Sequence, residues 1–247
     1  MFAGPIFSRE ALTTPRRLRH FLIRSGYVAG LFVLMYTAGQ ATFGWQQVRS
    51  LGDVAHFGGL IFQIFSLLQM TLVLFFGMLF TAGNIAQEKD RQTLILLLMT
   101  DLRRREMVLG KLLASLLLPL VLVATSVPVF CVTLLLGGVA PEQVAWAIGL
   151  CTAATFASGA WGGLVAFWRE KTFQTLAICV LGLVLFLGTV EAVAAIAGSS
   201  SAVGSAVGLL NPYRVLLSVM NPFELQVLMA RASHTFLNIY IGRMCGS

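Results

Sequence analysis

The chain has 247 residues, of which 57% are hydrophobic and only 11% charged, with a mean hydropathy of +0.86. A soluble domain carries about 25% charged residues, so this chain has too few to cover a water-facing surface, and a bilayer is the solvent that accepts the remainder. The net charge of +7 does not point to nucleic acid, because the basic residues gather at the ends of apolar runs, where topology and anionic headgroups account for them.

Residues 1–21 read as a cytoplasmic interfacial segment. Ile6, Phe7, Leu12, Leu18 and Phe21 alternate with basic side chains, and Pro15 divides them. That pattern suits one or two short helices lying on a membrane surface; a basic arm without structure is the other reading. The lead-in is too long and too basic for the start of a signal peptide, and the apolar run from Ser25 to about Phe43 is long enough to cross. It reads as a retained first span.

Five spans are expected, at about 22–44, 58–86, 109–137, 143–168 and 173–198, since roughly 20 mostly apolar residues cross a bilayer. Residues 57–87 and 112–141 contain no Asp, Glu, Lys, Arg or His. The second run exceeds what the bilayer needs, so its cytoplasmic end should project or tilt. Gly26-x-x-x-Gly30 and Gly159-x-x-x-Gly163 allow close backbone approach, and the small residues of the fourth run suit burial against neighbouring helices. Pro119 and Pro128 should kink the third. With the N-terminus inside, every Lys and Arg falls on the cytoplasmic side except Arg49, Arg214, Arg231 and the unassigned Arg243. This is a strong positive-inside bias.

Beyond the fifth run comes Ser199-Ser200-Ser201, then Asn211-Pro212-Tyr213 and its echo Asn221-Pro222-Phe223. Asn is a favoured N-cap and Pro a favoured first helical residue. Two short helices at 212–220 and 222–232 are expected on the outer face, within an outer segment at 199–235. A single span at 202–220 would place Pro212 and Arg214 at mid-membrane, which is costly. Thr235 to Ile241 is apolar but too short to cross, so 236–247 reads as the start of a sixth span, truncated or incomplete. The fold class expected is all-α, a polytopic helical bundle.

Chemistry for catalysis is not visible. There is no phosphate loop, no H-E-x-x-H, and His20, His56 and His234 are scattered. Cys131, Cys151, Cys179 and Cys245 form no CxxC or Cys/His spacing, so neither a metal site nor a disulfide framework is expected. Four intramembrane polar residues are candidates for a translocation path. Gln63, Ser66 and Gln69 recur every three residues on one broad face, with helix–helix hydrogen bonding as the competing reading. Glu191 follows nineteen uncharged residues, 172–190. It is either an intramembrane functional carboxylate or a group at the outer headgroups.

The densest charge cluster lies between the second and third runs, at 87–111. It reads Glu88-Lys89-Asp90-Arg91-Gln92-Thr93-Leu94-Ile95-Leu96-Leu97-Leu98-Met99-Thr100-Asp101, then Arg103-Arg104-Arg105-Glu106 and Leu109-Gly110-Lys111. Leu94, Leu97 and Leu98 form an apolar ridge at helical spacing that suits insertion into a cleft. Thr100 or Asp101 suits the cap of the next helix. Arg103, Arg104 and Arg105 suit acidic groups or anionic lipid.

This string resembles the ABC-2 family of ATP-binding-cassette permeases, in which a charged pair ends the second helix and a "G-T-L-E-L-L-L-A-T-P" stretch, a basic run and "L-G-K" follow. Gln92, Ile95 and Asp101 depart from that pattern, standing where Gly, Glu and Pro are usual. The resemblance covers nearly the whole chain, the sixth helix excepted. It implies a plasma (inner) membrane export permease with a cytoplasmic N-terminus, paired with a second permease half as homodimer or heterodimer. It implies a separate ABC ATPase subunit that carries ATP and magnesium, this chain binding no cofactor and hydrolysing nothing itself. It also makes 88–106 a coupling helix in contact with that ATPase through Glu88, Lys89, Arg91, Thr93, Leu94, Leu97, Leu98, Thr100, Asp101, Arg103, Arg104, Arg105 and Glu106. The alternative is a membrane anchor or assembly factor that recruits a cytoplasmic protein through the same segment. The substrate is not legible.

Overall fold

In lipid every backbone N–H and C=O must find its partner within the segment, which leaves the helix as the solution for long apolar runs in a single chain. The computed structural model describes residues 18–43, 51–90, 104–168, 171–197 and 202–220, and all regular structure among them is helical. The helices are α1 (Leu18–Phe43), α2 (Leu51–Asp90), α3 (Arg104–Leu136), α4 (Pro141–Trp168), α5 (Thr172–Ala197), α6 (Ala202–Gly208) and α7 (Pro212–Met220). The first five are long and apolar enough to cross a membrane. The protein is therefore a polytopic helical membrane bundle.

The largest departure from the expected boundaries is at the start of α2, which begins at Leu51 rather than near residue 58. The added two turns carry Asp53 and His56, polar side chains that a helix accepts beyond the hydrocarbon. With 40 residues the helix is about 60 Å long at 1.5 Å per residue, twice the hydrocarbon thickness of about 30 Å.

One compact unit comprises residues up to Gly182 and a second begins at Leu183. In the first unit, α2 is the central helix and packs most extensively against α4, then against α3. The reason is the small side chains of α4. A Cβ at Gly162 would meet the Met78 carbonyl, and one at Gly77 would meet Ser158 and the Thr155 carbonyl, so the α2 and α4 backbones lie in direct contact. Ser158 Oγ, already donating to the Thr155 carbonyl at 3.1 Å, also reaches the Val73 carbonyl of α2 at 3.5 Å. Gly159 makes room for Leu116 of α3. The Gly159/Gly163 pair thus does what its spacing suggests. Gly26 and Gly30 do not: nothing lies within 4 Å of where their Cβ atoms would be.

The α3–α4 turn is specified by glycine. Gly137 and Gly138 have φ of 87° and 79°, a region L side chains rarely enter, and a Cβ on Gly138 would meet the Ala55 carbonyl at the start of α2. Pro141 then opens α4 at the first helical position, and Gln143 Oε1 accepts from the Ala140 N–H at 3.0 Å, which is half of a capping box. Within α3, Pro119 and Pro128 remove the backbone donors that would bond the Ser115 and Ala124 carbonyls.

The second unit contains the end of α5 with α6 and α7. A single span at 202–220 is not formed, because the chain turns at Leu209–Leu210 and restarts at Pro212. Helix α7 has the expected bounds. Helix α6 was not expected; its sequence, AVGSAVG, has no apolar period to announce it. The expected helix at 222–232, the start of a sixth span at 236–247 and the interfacial segment before Leu18 lie outside the described residues.

Candidate functional site

Three polar groupings can be built from the residues upward. The first is at the cytoplasmic end expected for α2. Its last turn carries Glu88, Lys89 and Asp90. Lys89 Nζ donates to the Phe167 carbonyl at 3.2 Å. Phe167 is the next-to-last residue of α4, where carbonyls have no partner further along the helix, and a cation at a helix C-terminus also meets the negative end of its dipole. Of the expected coupling residues, Glu88 and Lys89 fall in α2 and Arg104, Arg105 and Glu106 in the first turn of α3. Arg91, Thr93, Leu94, Leu97, Leu98, Thr100, Asp101 and Arg103 lie outside the described residues.

The second grouping is inside the membrane. Gln69 and Ser66 are buried, whereas Gln63 is exposed on the chain. The three therefore do not share one environment: steps of three residues rotate by about 300° each, so Gln63 and Gln69 stand roughly 120° apart around α2. The Tyr27 hydroxyl of α1 donates to Gln69 Oε1. Ser126 of α3 lies beside the same pair, among Leu31, Phe65, Val129 and Phe130. Ser126 Oγ donates to its own helix at the Val123 carbonyl, 2.7 Å away. Ser66 Oγ is buried and has no hydrogen-bond partner among the described residues. Tyr27 was not a candidate from the sequence, because a lone tyrosine near the start of an apolar run carries no period.

The third grouping belongs to the second unit. Arg214 of α7 grips Glu191 of α5 with two nitrogens, Nε to Oε2 at 2.9 Å and a second contact to Oε1. Asn211 Nδ2 donates to Glu191 Oε2 at 3.0 Å, while Asn211 Oδ1 caps α7 by accepting from the Tyr213 N–H at 3.0 Å. One amide thus caps a helix and holds a carboxylate. The hydrogen bond to Glu191 raises the Arg214 pKa above the ordinary arginine value, against the opposing effect of desolvation. Glu191 and Arg214 are each about half exposed on the chain, and their charges cancel pairwise. Gln63, Ser66 and Gln69 belong to the first unit and Glu191 to the second. No group of three His, Cys, Asp or Glu side chains able to hold a metal occurs among the described residues.

Five helices long enough to span, a long second helix running into a charged segment, and a short capped helix after the fifth span define a polytopic helical membrane protein. The family model for the ABC-2 family transporter protein matches residues 14–240, which is most of the chain, and the protein belongs to that family. It is thus a multi-pass membrane permease of the ABC transporter class, a transport subunit of a family whose members normally work with an ABC ATPase. No curated protein and no solved structure matches the chain.

Proposed function

We propose that this chain is the permease half of an ABC exporter in the plasma (inner) membrane, with a cytoplasmic N-terminus. In this reading the segment 88–106 docks on a separate ABC ATPase that binds ATP and magnesium. Movement of the ATPase is passed to α2 and α3, the helices that flank the segment, and a second permease half, identical or different, completes the pathway. The observation that carries the reading is the family match over 14–240. The position of the Leu94-Leu97-Leu98 ridge and the Arg103–Arg105 run between α2 and α3 supports it. The sequence and the helices leave the substrate open.

The test is co-purification. The permease is co-expressed with ABC ATPases encoded beside it and captured in detergent, as the wild type and as the Leu97→Asp/Leu98→Asp double variant. Two buried carboxylates without partners would disfavour docking strongly, so the variant should insert normally and lose the ATPase. Equal capture by both would overturn the assignment of the ridge. Absence of any ATPase from a well-folded wild type would favour the membrane-anchor alternative.

A further inference from the structure

The contacts of α2 fall into two kinds, and the difference has a mechanical consequence. Toward the middle of α3 they include side-chain pairs: Ser115 Oγ to Thr81 Oγ1 at 3.2 Å and the rings of Phe62 and Phe130, 5.8 Å apart. Toward α4, between Val73 and Met78, they run through backbone. Gly162 lies on the Met78 carbonyl, Gly77 lies under Ser158 and the Thr155 carbonyl, and Ser158 reaches the Val73 carbonyl. Side-chain contacts re-pack by rotamer changes, whereas two touching backbones have no such freedom. The α2–α4 pair is therefore set to move as one piece over the stretch from Val73 to Met78, against Thr155 to Gly162. Between Met78 and the charged segment, α2 runs on for three further turns. There Lys89 Nζ donates to the Phe167 carbonyl of α4.

We propose that Lys89 is a positioning residue of the transmission path: its ammonium joins the cytoplasmic ends of α2 and α4, so that a displacement entering at 91–103 carries both helices together. The proposal rests on the coupling reading given above for the segment that begins beside Lys89. It gives Lys89 an intramolecular task distinct from gripping the ATPase. It also assigns α4, which is not joined to that segment, a share of the movement. Lysine suits the place because its flexible stem and compact charge reach a carbonyl that the end of a helix leaves unbonded. Methionine keeps the stem and removes the donor; arginine keeps the donor.

Two measurements test it, both in a background with Cys131, Cys151, Cys179 and Cys245 replaced. In the first, spin labels at Gln87 and Leu164, exposed positions near the ends of α2 and α4, report the distance between those ends in the permease without any ATPase. The wild type should give a narrow distribution. Lys89→Met should broaden it and shift it outward, and Lys89→Arg should restore it. An unchanged distribution in Lys89→Met overturns the tie. In the second, the reconstituted complex with the ABC ATPase carries a cysteine at Ala140, at the opposite end of α4. Labelling by a water-soluble maleimide should change on addition of ATP and vanadate in the wild type and in Lys89→Arg. In Lys89→Met that change should be lost in complexes matched to the wild type for bound ATPase, a result that a loss of docking does not give. Persistence of the change in Lys89→Met, or its absence from the wild-type complex, overturns the transmission role. A wild type that captures no ATPase overturns the coupling reading and this role with it, and leaves the first measurement to decide the tie alone.

Discussion

At the scale of residues, the outer clamp shows how one carboxylate organises its surroundings. Glu191 receives two nitrogens of Arg214 and one of Asn211, so removing its charge releases α7 from α5 at two points. The expected outcome for Glu191→Gln is faster tryptic cleavage after Arg214 in protein held in nanodiscs, read by mass spectrometry of the products. Exposed ion pairs in measured cases support an increase of about twofold to fivefold. Glu191→Asp, which keeps the carboxylate opposite Arg214 and leaves the cleavage site intact, should stay closer to the wild-type rate than Glu191→Gln. The Tyr27 hydroxyl is a second such residue, tying α1 to α2 through Gln69. Tyr27→Phe leaves the buried Gln69 oxygen short of its donor, at a cost of about 0.6 kcal/mol by the mean for interhelical hydrogen bonds in membranes. Thermal unfolding in detergent should show that loss, and Gln69→Leu placed on top of Tyr27→Phe should remove most of it. Neither pairing was legible in the sequence. Glu191 was visible as an isolated charge in an apolar run and Asn211 as an N-cap, but their meeting depends on a turn at 209–211 that carries no local signal beyond Pro212. Tyr27 meets Gln69 across 42 positions of sequence, a relation that helical periodicity cannot encode.

At the scale of elements, what the sequence revealed was whatever one helix determines alone. Spans and their order follow from the lengths of apolar runs, and α7 follows from Asn211 and Pro212. The small-residue face of α4 is legible as a packing face, but its partner is not: that Gly162 rests on Met78 while Gly149 touches nothing within 4 Å is decided by the neighbour. The start of α2 was misplaced for a related reason. A search for membrane spans stops at Asp53 and His56, whereas the helix has no cause to stop where the bilayer does. The contrast between the glycines is a prediction. Gly162→Ala puts a methyl against the Met78 backbone and should destabilise by about 1–3 kcal/mol, as overpacking does in other cores. Gly149→Ala meets open space and should be neutral or stabilising by up to about 1 kcal/mol, the ordinary gain for alanine over glycine inside a helix. Melting of the two variants in the same detergent decides it: equal losses at both sites would mean that the α2–α4 contact is not the tight one described.

At the scale of the whole molecule, coupling to an ATPase depends on which side of the membrane holds the charged segment between α2 and α3. The basic residues of 9–24, 89–111 and 169–171 all fall on one side of a five-span chain, and positive charge is retained on the cytoplasmic side. In the proposed orientation, with a cytoplasmic N-terminus, the turn at 137–140 belongs to the opposite side, where an ATPase has no access. Cysteine labelling of the full chain in right-side-out spheroplasts tests this directly, in the same cysteine-free background. Ala140 and Lys171 are exposed positions at the two ends of α4 and its following loop, so they must report opposite sides. Ala140→Cys should react with a membrane-impermeant maleimide in intact cells. Lys171→Cys should react only after permeabilisation. The reverse pattern would put residues 91–103 outside the cell, beyond reach of ATP and of any ATPase, and would end the transporter reading whatever the family match says about descent. The expected pattern would leave the segment on the side where Lys89 and the leucine ridge can act, and the identity of the ATPase would then decide what moves.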